Sequence, residues 1–250
     1  MAKWIIVFVL LSSACVQAQD VPTTTNTAQE SSPAPANDNN VTAEPSQHEK
    51  AEQELKEQER QRILGIVPNF NTTNVQNAAP LSVGQKFRLS FHSAIDPFEF
   101  VAAALDAGYS QWQKDFPGYG LGAPGYAKRF GAAYADQFSG IFWGNAVYPS
   151  LLHEDPRYFR QGEGTVRHRG LHAIASTVWT KHDNGTWGPN YANVLGNLTA
   201  GGLSNIYYPA TDRGVELTLE RAATVTAEGV LGAIFVEFWP DISQKLFHHN

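Results

Sequence analysis

GAAYADQFSGIFWG, residues 131–144, decides how the chain folds. Gly131, Ala135 and Ser139 recur every four residues, and Gly140 and Gly144 repeat the interval one position on. A four-residue recurrence places these side chains on one face of an α-helix. Side chains this small let a second helix approach at backbone distance. A second stretch, residues 190–207, repeats the device with Gly196, Ala200 and Ser204. Between Phe130 and Leu152 the only charge is Asp136, and between Pro189 and Ala210 there is none. Two helices built to pack closely imply helix on helix as the principle of the fold.

Working outward, the flanking segments read as helices with their own punctuation. One runs from about Val83 to Ala94. Asp96-Pro97 starts the next, with Asp as the cap and Pro at the first helical position; Pro117-Gly118 closes it after Lys114. The glycine-rich helix extends from about Ala123 to Tyr148. A shorter helix is expected over Leu171–Lys181, then the small-residue helix from Asn190 to Tyr207. A long one from Val215 to Phe238 is expected to stop at Pro240. No convincing period-two strand is present. The expectation is an all-α fold, a compact bundle of five to six helices occupying residues 65–250.

The N-terminal quarter is different in kind. Lys3, an apolar run from Trp4 to Leu11 and the small and polar residues from Ser12 to Ala18 make a cleavable export signal over residues 1–18, with the cut after Val16-Gln17-Ala18. The alternative is a lipoprotein signal acylated on Cys15, against which Ser12 stands where a large aliphatic residue is expected. Residues 19–45 lack aromatics and have only Val21 and Val41 as large aliphatics, so they are expected to be a disordered linker. Residues 46–64 alternate acids and bases, including the pair Glu52 and Lys56 four apart. Without an a/d seam, they are expected to form a charged, solvated helical stalk rather than a long coiled coil, ending at Gly65 and Pro68.

Composition excludes several functions. Cys15 is the one cysteine, so a mature chain has neither a disulfide nor a thiolate metal site. A net charge of -6 gives no global attraction to nucleic acid. No nucleophile elbow, phosphate loop or dinucleotide fingerprint occurs, so no motif names a cofactor. The densest chemistry is Leu152-His153-Glu154-Asp155-Pro156-Arg157-Tyr158-Phe159-Arg160. His153 and Asp155 are candidate base and orienter, or metal ligands, with the metal unspecified. Arg157 and Arg160 are candidate anion grips. The rival reading is a salt-bridged loop. Arg167, His168, Arg169 and His172 form a basic patch suited to an anionic lipid head group or wall polymer, or else a solvated loop. Asn193, Asn197 and Asn205 line one stripe of the small-residue helix. They read as a network fixing helix register with Asp136, or as a polar cleft for a ligand. The same amides, and Glu228 in the last helix, favour a soluble or membrane-peripheral bundle over spans, although the lengths suffice to span.

Five segments together carry a resemblance: Arg62 to Phe70, Tyr134-Ala135-Asp136, His153 to Arg160, Asn205 to Pro209, and Glu237-Phe238-Trp239-Pro240-Asp241-Ile242. They resemble a group of exported proteins of soil bacteria for which no activity is established. The similarity covers roughly Arg62 to Leu246 and implies an independent domain type, with no catalytic role for any residue. Two functions follow as expectations. The first is a non-enzymatic protein of the periplasm or cell envelope that binds a lipid, a polymer or a protein partner. The second is an envelope ester or phosphoester hydrolase using His153, Asp155, Arg157 and Arg160.

Overall fold

The structure is a computed structural model that describes residues 46–60 and 71–247. The export signal, the linker, the end of the stalk at 61–64 and the Arg62–Phe70 part of the resemblance lie outside the described residues. Of the described residues 71% are helical, so the core is made by helices packing on helices, as the small-residue stripes require.

Helix α1 (Gln47–Arg60) is capped by Ser46, whose backbone N–H donates to Glu49 while its hydroxyl accepts from the Glu49 N–H. It is not a solvated stalk. Ala51 and Leu55, one turn apart, are fully buried against Leu81 and Leu89, and Glu52 pairs with Arg88 at 2.7 Å. Two apolar residues four apart are too short a stripe to read as a packing face in sequence. They suffice here because ion pairs flank them.

Helix α2 (Val83–Ala94) starts with a reciprocal cap between Ser82 and Gln85. In α3 (Pro97–Gln113), Asp96 accepts from the Phe98 N–H at 2.7 Å and Pro97 takes the first helical position, as expected. Helix α4 (Gly122–Phe142) passes through a π-helical turn, Trp143–Val147, into α5 (Tyr148–Leu152). The helix therefore crosses Pro149 instead of ending before it. The widened turn puts Pro149 in the opening turn of a new segment, where a missing N–H is unneeded.

Helix α6 (Val166–Ala175) starts earlier than expected, because Thr165 caps it by accepting from His168 N–H. It also ends earlier. Trp179–Lys181 instead forms strand β3, paired antiparallel with β4 (Trp187–Pro189). A second small sheet joins β1 (Thr72–Thr73) in parallel to β2 (Tyr158–Phe159). Strands of two or three residues are too short to show alternation. Helix α7 (Tyr191–Tyr207) is as expected. Helix α8 (Val215–Phe247) runs through Pro240 rather than stopping there. Just upstream of the proline, Arg160 and Arg169 hold the Glu237 carbonyl from outside the helix.

The small-residue stripes lie at the helix contacts. A Cβ on Gly196 would sit 2.4 Å from Gly144 Cα, and one on Gly201 would sit 2.1 Å from the Thr218 carbonyl oxygen. Gly140 meets Val225 in the same way. Gly131 is exposed with open space around it, and Ala135 and Ser139 are only half-buried, so the close approach of α4 is made one position on, at Gly140 and Gly144. The result is an antiparallel arrangement of α3, α4, α7 and α8. The connections at one end are short; α1, α2, α5, α6 and both sheets gather at the other.

Candidate functional site

The segment after α5 places its charges in different directions. His153 closes the helix in the left-handed region (φ 55°), which turns its imidazole outward; the side chain is 83% exposed, and its Nδ1 lies 3.9 Å from Asp183. Asp155 is buried. Both Asp155 oxygens take the Arg157 guanidinium, at 2.7 Å from Nη2 and 3.0 Å from Nε. Arg157 has no exposed side-chain surface. It also donates to the Ala79 carbonyl at 2.7 Å and approaches Glu54 of α1 at 3.5 Å. This bidentate pair staples the loop to α1 and the segment before α2. Glu154 caps α7, its Oε2 accepting from the Ala192 N–H at 3.0 Å.

Arg160 turns to the end of α8, donating to the Glu237 carbonyl at 3.1 Å. Arg169, which the sequence placed in a surface patch, is buried there with it, its Nε donating to Glu237 Oε1 at 2.8 Å. Glu237 is fully buried and also accepts from the Tyr158 hydroxyl and from the Gln161 and Gly162 N–H groups. Burial, then that bond to Glu237, pushes the Tyr158 pKa up, so this hydroxyl stays a donor. His172 is half-buried with Nε2 2.8 Å from the Phe159 carbonyl oxygen, and only Arg167 and His168 of the patch are exposed.

Asp136 is fully buried, but the asparagines are not its partners. It accepts from the hydroxyls of Tyr207 and Tyr208 and from Arg221 Nε at 2.7 Å, and Arg221 reaches on to Asp106 at 2.8 Å. Asn197 and Asn205 pin α7 to α8 through Thr226 and Thr218, and Asn193 pins it to the Thr177 carbonyl.

Lys86, Arg129, Arg221 and Glu237 are buried charges that sequence reasoning did not assign. Arg129 spends its guanidinium on four carbonyls, those of Asp115, Phe116, Gly120 and Gly125. Lys86 is tied to Asp183 and the Pro149 carbonyl. Only Glu237 stood out as an isolated charge in an apolar run; Arg129 adjoins Lys128, Arg221 adjoins Glu220 and Lys86 lies two residues from Arg88, so they read as surface charges. Among the described residues no three His, Asp or Glu side chains gather as a metal site.

A cavity of about 1100 Å³ lies among α3, α4, α7 and α8 and is closed at one end by the segment Glu154–Phe159, so Asp155 and Arg157 line it while His153 and Arg160 do not. Phe98, Leu105, Ile141, Leu231 and Phe235 supply apolar walls, and Glu99, Glu228, Asn193 and Asn197 the polar points. Its size is at the upper end for small-molecule sites. Comparison with family models, curated proteins and solved structures gives no match.

Proposed function

We propose that this is an exported cell-envelope protein whose helical domain binds an apolar partner and catalyses no reaction. One observation carries the reading: Asp155 is spent on Arg157 in a buried bidentate pair, while His153 stands in solvent. A base and its orienter must lie within hydrogen-bond reach, and the anion grips must open to the same cleft. Arg157 and Arg160 instead hold structural acceptors. The largely apolar cavity is what the domain offers a ligand.

The test is hydrolysis of chromogenic esters and phosphodiesters by the full chain beside His153→Ala. The expected result is no turnover by either. Turnover that disappears in His153→Ala would establish the hydrolase alternative. Export is tested by mass spectrometry of the mature N-terminus: a free Gln19 is expected, an acylated Cys15 would mean a tethered lipoprotein, and a retained Met1 would overturn export.

A further inference from the structure

The helices are sorted the wrong way round for water. In α3 the buried residues are Ala103, Ala107 and Ser110, while Val101, Leu105, Tyr109 and Trp112 face outward, Leu105 at 70% and Trp112 at 75% exposure. Helix α7 buries Gly196, Asn197, Ala200, Gly201 and Ser204 and exposes Val194, Leu195, Leu198 and Ile206. Helix α8 carries an apolar window of mean hydropathy 1.3 of which 11% is buried. In a water-soluble domain the large aliphatic residues go inside and such contiguous apolar faces are rare. Small and polar residues inside, with large apolar ones outside, is the arrangement of helices packed in lipid.

Charge follows the same division. Helix α7 has no charged residue. The charges of α3, Glu99 and Asp106, are half-buried and line the cavity, and Asp106 is held by Arg221. In α4, Arg129 and Asp136 are buried. The exposed charges on these four helices are Lys128, Glu216 and Glu220, near the end with the short connections, and Lys245, near the other. Between those limits no other charged residue of these helices is exposed among the described residues, apart from the Asp241 side chain, 43% exposed and paired with Arg169 one turn before Lys245. The 17 residues of α3 and of α7 each span about 26 Å at ~1.5 Å per residue, close to the ~30 Å hydrocarbon core. Tyr109 and Trp112 fall at one end of α3 and Tyr191 at the start of α7, where interfacial aromatics sit.

The asparagines that argued against spans in the sequence are satisfied inside. Asn197 and Asn205 bond to threonines of α8, and Asn193 to a backbone carbonyl. Polar side chains in a bilayer must face the protein interior, and these do. From the outward apolar faces, the scarcity of outer charge and the helix lengths, we infer that α3, α4, α7 and α8 cross a lipid bilayer as an antiparallel bundle, the acyl chains covering Val194, Leu198 and, where the cavity opens outward, Val101, Leu105 and Leu231. This goes beyond the binding reading and stands whether or not His153 proves catalytic.

Cys15→Ser removes both the acylation site and the only cysteine, so single cysteines can be introduced at Leu105, Leu198 and Asp212. Native membranes are washed with carbonate at high pH, floated through a density gradient, and labelled with a membrane-impermeant maleimide. The expected result is flotation with lipid, no labelling at 105 or 198 until detergent is added, and labelling at 212 on one side of the membrane. A protein that stays at the bottom of the gradient, dissolved or aggregated, overturns the inference. So does a protein that floats while 105 and 198 label freely, since it would then be held by its N-terminal segment. A detergent-free soluble dimer that hides both positions would fail to float and would assign the apolar face to a second copy.

Discussion

Gly201 and Gly202 are neighbours on α7 with opposite surroundings, and alanine at each tests whether α7 and α8 touch at backbone distance. A Cβ on Gly201 would lie 2.1 Å from the Thr218 carbonyl oxygen and 3.0 Å from the Ala222 nitrogen, whereas a Cβ on Gly202 meets nothing within 4 Å. Ordinary contact is ~3.5 Å, so Gly201→Ala forces α7 back by about 1 Å, a gap that forfeits about a quarter to a half of each dispersion contact. Both neighbours are backbone, with no rotamer to yield. Overpacking of this kind costs about 1–3 kcal/mol. The Asn205–Thr218 and Asn197–Thr226 bonds, at 2.8 and 2.9 Å, span the same contact and stretch with it, at about 0.5–1.5 kcal/mol each. Replacing glycine in a helix returns about 1 kcal/mol. The net expectation is a loss of about 2–3 kcal/mol for Gly201→Ala and a gain of up to about 1 for Gly202→Ala. At about 2–4 °C per kcal/mol for a domain of this size, the two melting curves should separate by roughly 5–15 °C on either side of wild type. Circular dichroism melts of the three proteins, side by side in one detergent, decide it. Equal or higher melting of Gly201→Ala would mean that the helices are farther apart than described, and the reading of the small-residue stripes would fall.

Arg157→Met should destabilise by about 3–5 kcal/mol, because it strands the buried Asp155 carboxylate, while the exposed His153→Ala stays within about 0.5 kcal/mol; thermal melts that rank them the other way would return His153 to consideration. The Gln85 amide, then Arg88, holds the Glu52 pKa below its ordinary 4.5, so its contribution to docking α1 is full above pH 4.5 and is lost as pH falls through the lower folded value. The protection factors of the Ala51–Leu55 amides, which correct for the slower intrinsic exchange in acid, should therefore fall on acidification below 4.5, and Glu52→Gln should flatten that fall; the same profile in both proteins would remove Glu52 from the docking. Gly229→Leu, at a cavity-lining glycine whose Cβ meets nothing within 4 Å, should reduce the lipid that co-purifies with the domain, measured by mass spectrometry of an organic extract, without lowering the melting temperature. Unchanged lipid content would place the apolar partner elsewhere.

The helices were legible because their signals are local. Asp96-Pro97 caps α3 where the sequence puts it, and the Gly196-Ala200-Ser204 stripe lies on the contact side of α7. The prolines misled in both long helices: Pro149 falls in the opening turn of a new segment after a π-helical turn, and beside Pro240 two arginines hold the Glu237 carbonyl from outside the helix. Those compensations come from the fold and leave no mark beside the proline. The four candidate residues are not brought to one point, for a related reason. His153, Asp155, Arg157 and Arg160 are close in sequence, but a left-handed residue at 153 and the partners Glu54 and Glu237, drawn from opposite ends of the chain, send them apart. Density of charge along a chain says nothing about convergence.

The orientation of α3 carries the argument from fold to environment. Rotated to put Leu105 and Val101 inside, the helix would suit water, yet it presents Ala103, Ala107 and Ser110 to its neighbours. Burying one large aliphatic side chain contributes about 1.5–3 kcal/mol. Leaving Val101 and Leu105 in water forgoes up to about 3–6 kcal/mol on that scale, a large share of the ~5–15 kcal/mol that holds a whole domain together. The inner face offers too little to offset this: close approach to α4 and one ion pair from Asp106 to Arg221. A buried pair often does no better than break even against its own desolvation. In hydrocarbon the forgone term disappears, because an acyl chain is as good a neighbour for Leu105 as a protein core. What then orders the helices is close packing of small residues and the satisfaction of Asp106, Asp136 and the asparagines away from lipid. The observed rotation of α3 is the one a bilayer selects.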